Sequence, residues 1–213
     1  MGCGTTAKAL TFSWMGSLIR AQAMLEAGVR LSLRQESLLR GSQPACRKRC
    51  SACCESPVHR ATDLELAGAV WHLTGANPPG SKAVLARLAE GGGQGCPFLH
   101  EGACSVYPMR FLSCRQLVVF GRACAPGEDP SRTRRGDMLT ILRRHALKGY
   151  ALLLPHLGIE PDLQDPLALE AQVFEATRPA ASLRVTDAAE FLAAMDAAAS
   201  QAALRAARAA RAA

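Results

Sequence analysis

Four cysteines stand within nine residues in the stretch CRKRCSACC, residues 46–54. Thiols packed so closely are crosslinked, buried as small hydrophobes, or bound to something. Inert burial gives no reason for a CxxxCxxCC spacing. The chain has nine cysteines, Cys3, Cys46, Cys50, Cys53, Cys54, Cys96, Cys104, Cys114 and Cys124. Cys3 reads as an unligated surface thiol, and the other eight lie between 46 and 124. A disulfide framework needs an oxidising compartment. The N-terminus, MGCGTTAKALTFSWMGSLIRAQAML, lacks the apolar segment and small-residue cleavage site of a secretory signal. MGCGTT fits the N-myristoylation pattern only loosely. No apolar run reaches the roughly 18 residues that span a bilayer. The expectation is a cytoplasmic chain, with no membrane partner, whose clustered thiols stay reduced and hold metal.

Helical geometry limits how they do so. At 100° per residue, Cys46, Cys50, Cys53 and Cys54 fall at about 0°, 40°, −20° and 80°, on one face. Cys46 and Cys54 would be roughly 12 Å apart along the axis. One tetrahedral ion with bonds of about 2.3 Å cannot bridge that distance. The segment is either helical and serves two ions or a larger cluster, or a loop curled around one. The second half, CPFLHEGACSVYPMRFLSCR (96–115), places Cys96 and Cys104 around a turn at His100–Glu101–Gly102. Pro108 suits the first turn of a helix leading to Cys114. The 41 residues between Cys54 and Cys96 add little closure entropy, so both halves can reach one site.

The rest of the chain reads as helical, with apolar residues such as Leu18, Leu25 and Val29 along 5–40 and a break at GSQP, 41–44. Thr62–Asp63–Leu64–Glu65 is a capping box, opening a helix with Leu66, Val70 and Leu73 on one face. Ser81 is expected to cap a second helix carrying Val84, Leu85 and Leu88. Leu117–Phe120 is the one strand signal. APGEDPSRTRRG, 125–136, reads as a loop, 137–157 as a helix, 158–182 as mixed. The Ala-rich tail reads as a helix capped at Asp187 and Glu190. Aromatics are only 5% of the residues, so the core must rest on Leu, Ala and Val. The expected fold is mainly α, a helical domain with an irregular, cysteine-rich metal-binding centre and at most a small β element. The expected division is a helical segment at 1–40, a cysteine-cluster metal-binding domain at 41–136 and a helical region at 137–213.

The pattern C-x3-C-x2-C-C, followed by C-P-F-L, G-x-C-S-V-Y, R-x3-C-R and a last cysteine, resembles the YkgJ-type cysteine-cluster family. That family is described as zinc- or iron-chelating and is related to flagellin lysine N-methylase, which bears an iron–sulfur cluster. The resemblance covers 46–124 and implies metal-ligand roles for Cys46, Cys50, Cys53, Cys54, Cys96, Cys104, Cys114 and Cys124. It departs from the family in the extra residue between Cys46 and Cys50, in Phe111 after Arg110 where a proline is common, and in Pro108 where an acidic residue is frequent.

Thiolate ligation suits Zn2+, iron–sulfur clusters such as 4Fe–4S, and Cu(I). Spacing does not separate zinc from iron; the cluster-bearing relative tips the balance towards iron. The net charge of +7 counts every cysteine as neutral. Eight thiolates on two divalent ions would bring it to about +3, so part of the positive excess balances the site. Arg110 and Arg115, beside ligands, are expected to offset thiolate charge or donate to sulfur. His59 and His100 sit near the cysteines and could ligate metal through imidazole, but they read as solvated or hydrogen-bonded and are left out of the ligand set. Arg132, Arg134, Arg135, Arg143 and Arg144, with Arg205, Arg208 and Arg211, read as solvated surface, since no aromatics interleave to stack bases. The leading function is metal binding with a structural, metal-handling or redox role. The alternatives are an iron–sulfur protein methyltransferase and a zinc-dependent nucleic-acid binder. The chain shows no Gly-rich cofactor loop and no acid–base set.

Overall fold

The computed structural model describes residues 13–47, 50–55, 59–91, 95–190 and 193. Leu10, Phe12, Cys3, the MGCGTT start and Arg205, Arg208 and Arg211 lie outside them. The fold is mainly α. Helix α1, Ser13–Arg40, is the rod on which the rest is assembled. Trp14, Leu18, Ala21, Leu25 and Val29 recur at three- and four-residue intervals and are all buried, the period that keeps one helical face inward. Ile19 and Leu31, on the outer face, are exposed.

After α1 the described residues are irregular up to a 3-10 turn at Ala52–Cys54. Strand β1, Arg60–Ala61, leads into helix α2, Asp63–Gly75, whose capping box forms as its sequence demands. The Thr62 amide donates to Glu65 Oε2 at 2.9 Å, and the Glu65 amide donates to Thr62 Oγ1 at 3.2 Å. Helix α3, Ser81–Glu90, is capped by Gly80. Ser81 is its first residue, and its hydroxyl donates back to the Pro78 carbonyl at 2.6 Å; the expected Ser81 cap is displaced by one position.

Strands β2, Leu99–His100, and β3, Ala103–Cys104, form an antiparallel hairpin. Its two loop residues both have positive φ, Glu101 at 47° and Gly102 at 70°. That is the type I′ turn whose twist matches paired strands. Pro108 sits in a 3-10 turn at Tyr107–Met109. Helix α4, Leu112–Gln116, starts only after it. Leu117–Phe120, the one strand signal, forms only an isolated bridge and no strand: Val119 bridges Met138, the Leu139 amide donates to the Val118 carbonyl at 2.9 Å, and the Phe120 amide donates to the Asp137 carbonyl at 2.8 Å.

That pairing explains why no single helix runs through 137–157. Met138 and Leu139 are drawn into extended backbone beside 118–120. Helix α5, Pro130–Thr133, and a 3-10 turn at Arg135–Asp137 precede them. Helix α6, Arg143–Ala151, and a 3-10 turn at Leu154–Leu157 follow. The mixed stretch contains helix α7, Pro166–Ala176, with Asp165 as N-cap and Pro166 at its first position, a start signal the sequence carries openly. Strand β4, Arg178–Pro179, pairs antiparallel with β1. Residues 185–190 are helical. Asp187 is therefore already inside that helix, and it accepts from the Arg184 amide at 2.8 Å, one turn earlier than expected.

One buried apolar cluster runs from Trp14 on α1 through Leu64, Val84, Phe98 and Leu153 to Ala188. α1 lies along α6 so closely that a Cβ on Gly28 would fall 2.4 Å from His145 Cβ.

Candidate metal centre

The backbone first brings the two cysteine stretches together. The Cys96 amide donates to the Cys54 carbonyl at 2.7 Å. Gly95 makes this approach possible: its φ is +82°, and an added Cβ would sit 3.1 Å from Cys54 O. At the other end of the motif, the Ala45 amide donates to the Val119 carbonyl at 2.7 Å. The Val119 amide donates to Cys46 Sγ at 3.3 Å. Among the described residues of 46–54 the backbone has only the 3-10 turn at Ala52–Cys54 and no α-helix, so the helical alternative is not the one these residues adopt.

Cys46, Cys50, Cys53, Cys54, Cys96, Cys104 and Cys114 line one cavity of about 390 Å3. At about 30 Å3 per water, that space equals roughly a dozen waters, far more than a packing defect. Cys124 is not in its lining. It lies close enough for its charge to act on Cys46 and to feel Cys50. All eight are free thiols; Cys46 and Cys50 are exposed and the other six half-buried.

Inside, sulfur contacts sulfur. The Cys53 thiol donates to Cys54, and the Cys54 thiol donates to Cys96. Losing the Cys53 proton would lose its bond to Cys54, and burial adds to this, so Cys53 is held far above the ordinary thiol range. Cys54 is also raised: acceptance from Cys53 favours its ionisation, but the bond to Cys96 and burial together outweigh it. Burial pushes Cys104 up to about 11 and Cys114 up to about 12, with the charge of Glu65 adding to the latter. Thiols crowded into low dielectric keep their protons unless a cation replaces them.

Aromatic rings screen the interior. Phe98 and Phe111 line the cavity, both buried, and meet edge to face with centroids 5.3 Å apart. Phe111 is also the N-cap residue of α4, and the Leu112 amide donates to Glu65 Oε1 at 2.6 Å. The buried Glu65 carboxylate therefore holds the starts of α2 and α4 together, and α4 carries Cys114.

The arginines divide differently from expectation. Arg115 is buried but donates to oxygen: to the Arg110 carbonyl at 2.9 Å, the Pro108 carbonyl at 2.6 Å and the Glu26 carboxylate on α1. No hydrogen bond from it to sulfur forms among the described residues. Arg110, stacked over Tyr107 at 4.5 Å, is the nearby cation that favours the Cys104 and Cys114 thiolates. Arg134, read from sequence as surface, donates to Cys124 Sγ at 3.1 Å while held by Glu128 at 2.8 Å and Asp137 at 3.1 Å. Ten residues and a turn separate it from Cys124, a relation that no local pattern encodes.

His59 was the other residue passed over. It is buried, lines the cavity, and stands with Cys53 and Cys54 as a group whose donor atoms all lie within 4.8 Å of one another. His100 is outside the lining and faces Glu101 at 3.9 Å.

No helix among the described residues is long and apolar enough to cross a membrane. No curated protein and no solved structure matches the chain. Residues 45–127 match the model of one family, described as "Putative zinc- or iron-chelating domain". The match spans the run from the backbone tie at Ala45 past Cys124, and over that segment the chain is similar to the CxxCxxCC family.

Proposed function

We propose that the protein chelates zinc or iron through Cys46, Cys50, Cys53, Cys54, Cys96, Cys104, Cys114 and Cys124, for a structural, metal-handling or redox role in the cytoplasm. One observation carries this reading. Seven of these sulfurs, from stretches 41 residues apart, face a single cavity without a disulfide among them. Their spread supports more than one ion or a polynuclear cluster, with Cys53, Cys54, Cys96, Cys104 and Cys114 inside and Cys46, Cys50 and Cys124 at the rim. The cluster-bearing methylase related to the YkgJ-type family that the motif resembles favours iron–sulfur over zinc. Bound iron–sulfur would supply electron transfer; bound zinc would supply a crosslink. The thiols give up their protons to the incoming metal; the chain's own part is to offset the thiolate charge with Arg110 and Arg134, and to keep water from the inner sulfurs with Phe98 and Phe111.

Anaerobic purification followed by iron, zinc and acid-labile sulfide analysis tests this. At least one equivalent of metal is expected, with a broad visible band and sulfide if the metal is iron. Protein that retains neither metal, and takes up neither on reconstitution, would overturn the proposal.

A further inference from the structure

Every ligand considered so far is a cysteine, yet an imidazole points into the same space. His59 is 3% exposed, its Nε2 has no hydrogen-bond partner among the described residues, and its ring lies close enough to Cys53 to favour that residue's thiolate. Its donor nitrogen and the sulfurs of Cys53 and Cys54 lie within 4.8 Å of one another. A tetrahedral ion with bonds of about 2.3 Å to sulfur holds its donors roughly 3.8 Å apart. The trio is therefore gathered to within about an ångström of what one ion needs. A buried ring nitrogen without a partner is costly, and neutral imidazole is a good donor to both zinc and iron.

We propose that His59 is itself a metal ligand, binding through a ring nitrogen the ion held by Cys53 and Cys54, so that the centre has a mixed sulfur and nitrogen shell. This rests on the metal-binding reading above. The backbone holds the ring in place. The Ala180 amide donates to the His59 carbonyl at 2.7 Å. The next residue, Arg60, opens β1, which pairs with β4. The Arg60 guanidinium binds Thr177 Oγ1 at 3.1 Å and the Phe174 carbonyl at 3.0 Å, and lies over the Phe174 ring at 4.3 Å. A ligand on a fixed backbone needs little reorganisation to bind. The imidazole gives its lone pair as the neutral ring and keeps its remaining N–H, so no proton is released at this residue.

X-ray absorption fine structure on the anaerobically loaded full chain, with Co2+ as probe and then with iron or zinc, reads the shell directly. Wild type is expected to show sulfur scatterers plus the outer-shell pattern of one imidazole. His59→Ala should lose that pattern, keep the sulfur shell, and bind Co2+ roughly 10- to 100-fold more weakly in chelator competition. A sulfur-only shell in wild type would overturn the proposal while leaving thiolate chelation intact. So would an imidazole pattern unchanged in His59→Ala. Wild type that binds no metal would overturn both readings. The wild-type spectrum decides the matter even if His59→Ala fails to fold, and His59→Gln gives a nearly isosteric second variant.

Discussion

Arg115 adjoins Cys114 in sequence, yet its guanidinium is committed to two carbonyls of one turn and to a carboxylate on α1. Its role is to dock the Pro108–Arg110 turn against α1. Arg115→Gln should lower stability by about 2–3 kcal/mol, since it removes a buried guanidinium's bonds to two carbonyls and its ion pair with Glu26. Urea titration of the metal-loaded protein would measure this, with metal stoichiometry unchanged below the transition. Gly95 makes the opposite case, where a residue without a side chain controls the site. Gly95→Ala places a Cβ in the left-handed region and against Cys54 O, at a cost of about 1–2 kcal/mol in backbone strain alone. Thermal melts should show the loss, and chelator competition should show weaker metal binding than Gly91→Ala, where the nearest atoms belong to the flexible end of Arg184. Neither role is visible from neighbouring letters: one depends on what lies across α1, the other on a backbone pairing of distant residues.

Elements with local signals were legible, and those with distant causes were not. The capping box at Thr62–Glu65, the hairpin turn at Glu101–Gly102 and the inward face of α1 each follow from a few adjacent residues. The helix expected at 137–157 failed because Val118 and Val119 recruit 137–139 into extended pairing, a competition between segments. Helix α7 had its Asp-Pro start and was hidden by the mixed composition around it. The closest helix pair, α1 with α6, depends on small residues: Gly28 faces His145, and a Cβ on Gly149 would lie 3.1 Å from Ala21 O. Gly28→Val should therefore destabilise the protein by about 2–3 kcal/mol through overpacking, read as a lower Tm with metal stoichiometry retained at 25 °C. Wild-type stability in Gly28→Val would mean that the two helices can separate freely.

For the molecule as a whole, metal and protons compete for the same sulfurs. Cys104 and Cys114 hold their protons to about 11 and about 12, whereas an unburied thiol titrates near 9.0. In the metal-free protein the unfolded chain therefore releases protons first as pH rises. The stability that burial of the neutral thiols allows is intact below about pH 9 and lost progressively towards pH 12. Denaturant midpoints of the metal-free protein should fall over that range, and Cys104→Ser with Cys114→Ser should flatten the fall. Loading metal at pH 7 should conversely release close to one proton per ligating thiol, measured by calorimetry in buffers of different ionisation enthalpy. The candidate ligands were readable because chemistry restricts what clustered cysteines do. His59 was not, because one histidine near cysteines has no meaning until burial and an idle nitrogen are seen.

The pairing of β1 with β4 has a consequence in time. A polypeptide is made from its amino end, and Arg178–Ala180, which clasp His59 from behind, are synthesised long after Cys124. On the ribosome every thiol of the motif emerges before that clasp exists. The growing chain thus passes through an interval in which every thiol of the motif has been made but the β1–β4 pairing behind His59 cannot yet form.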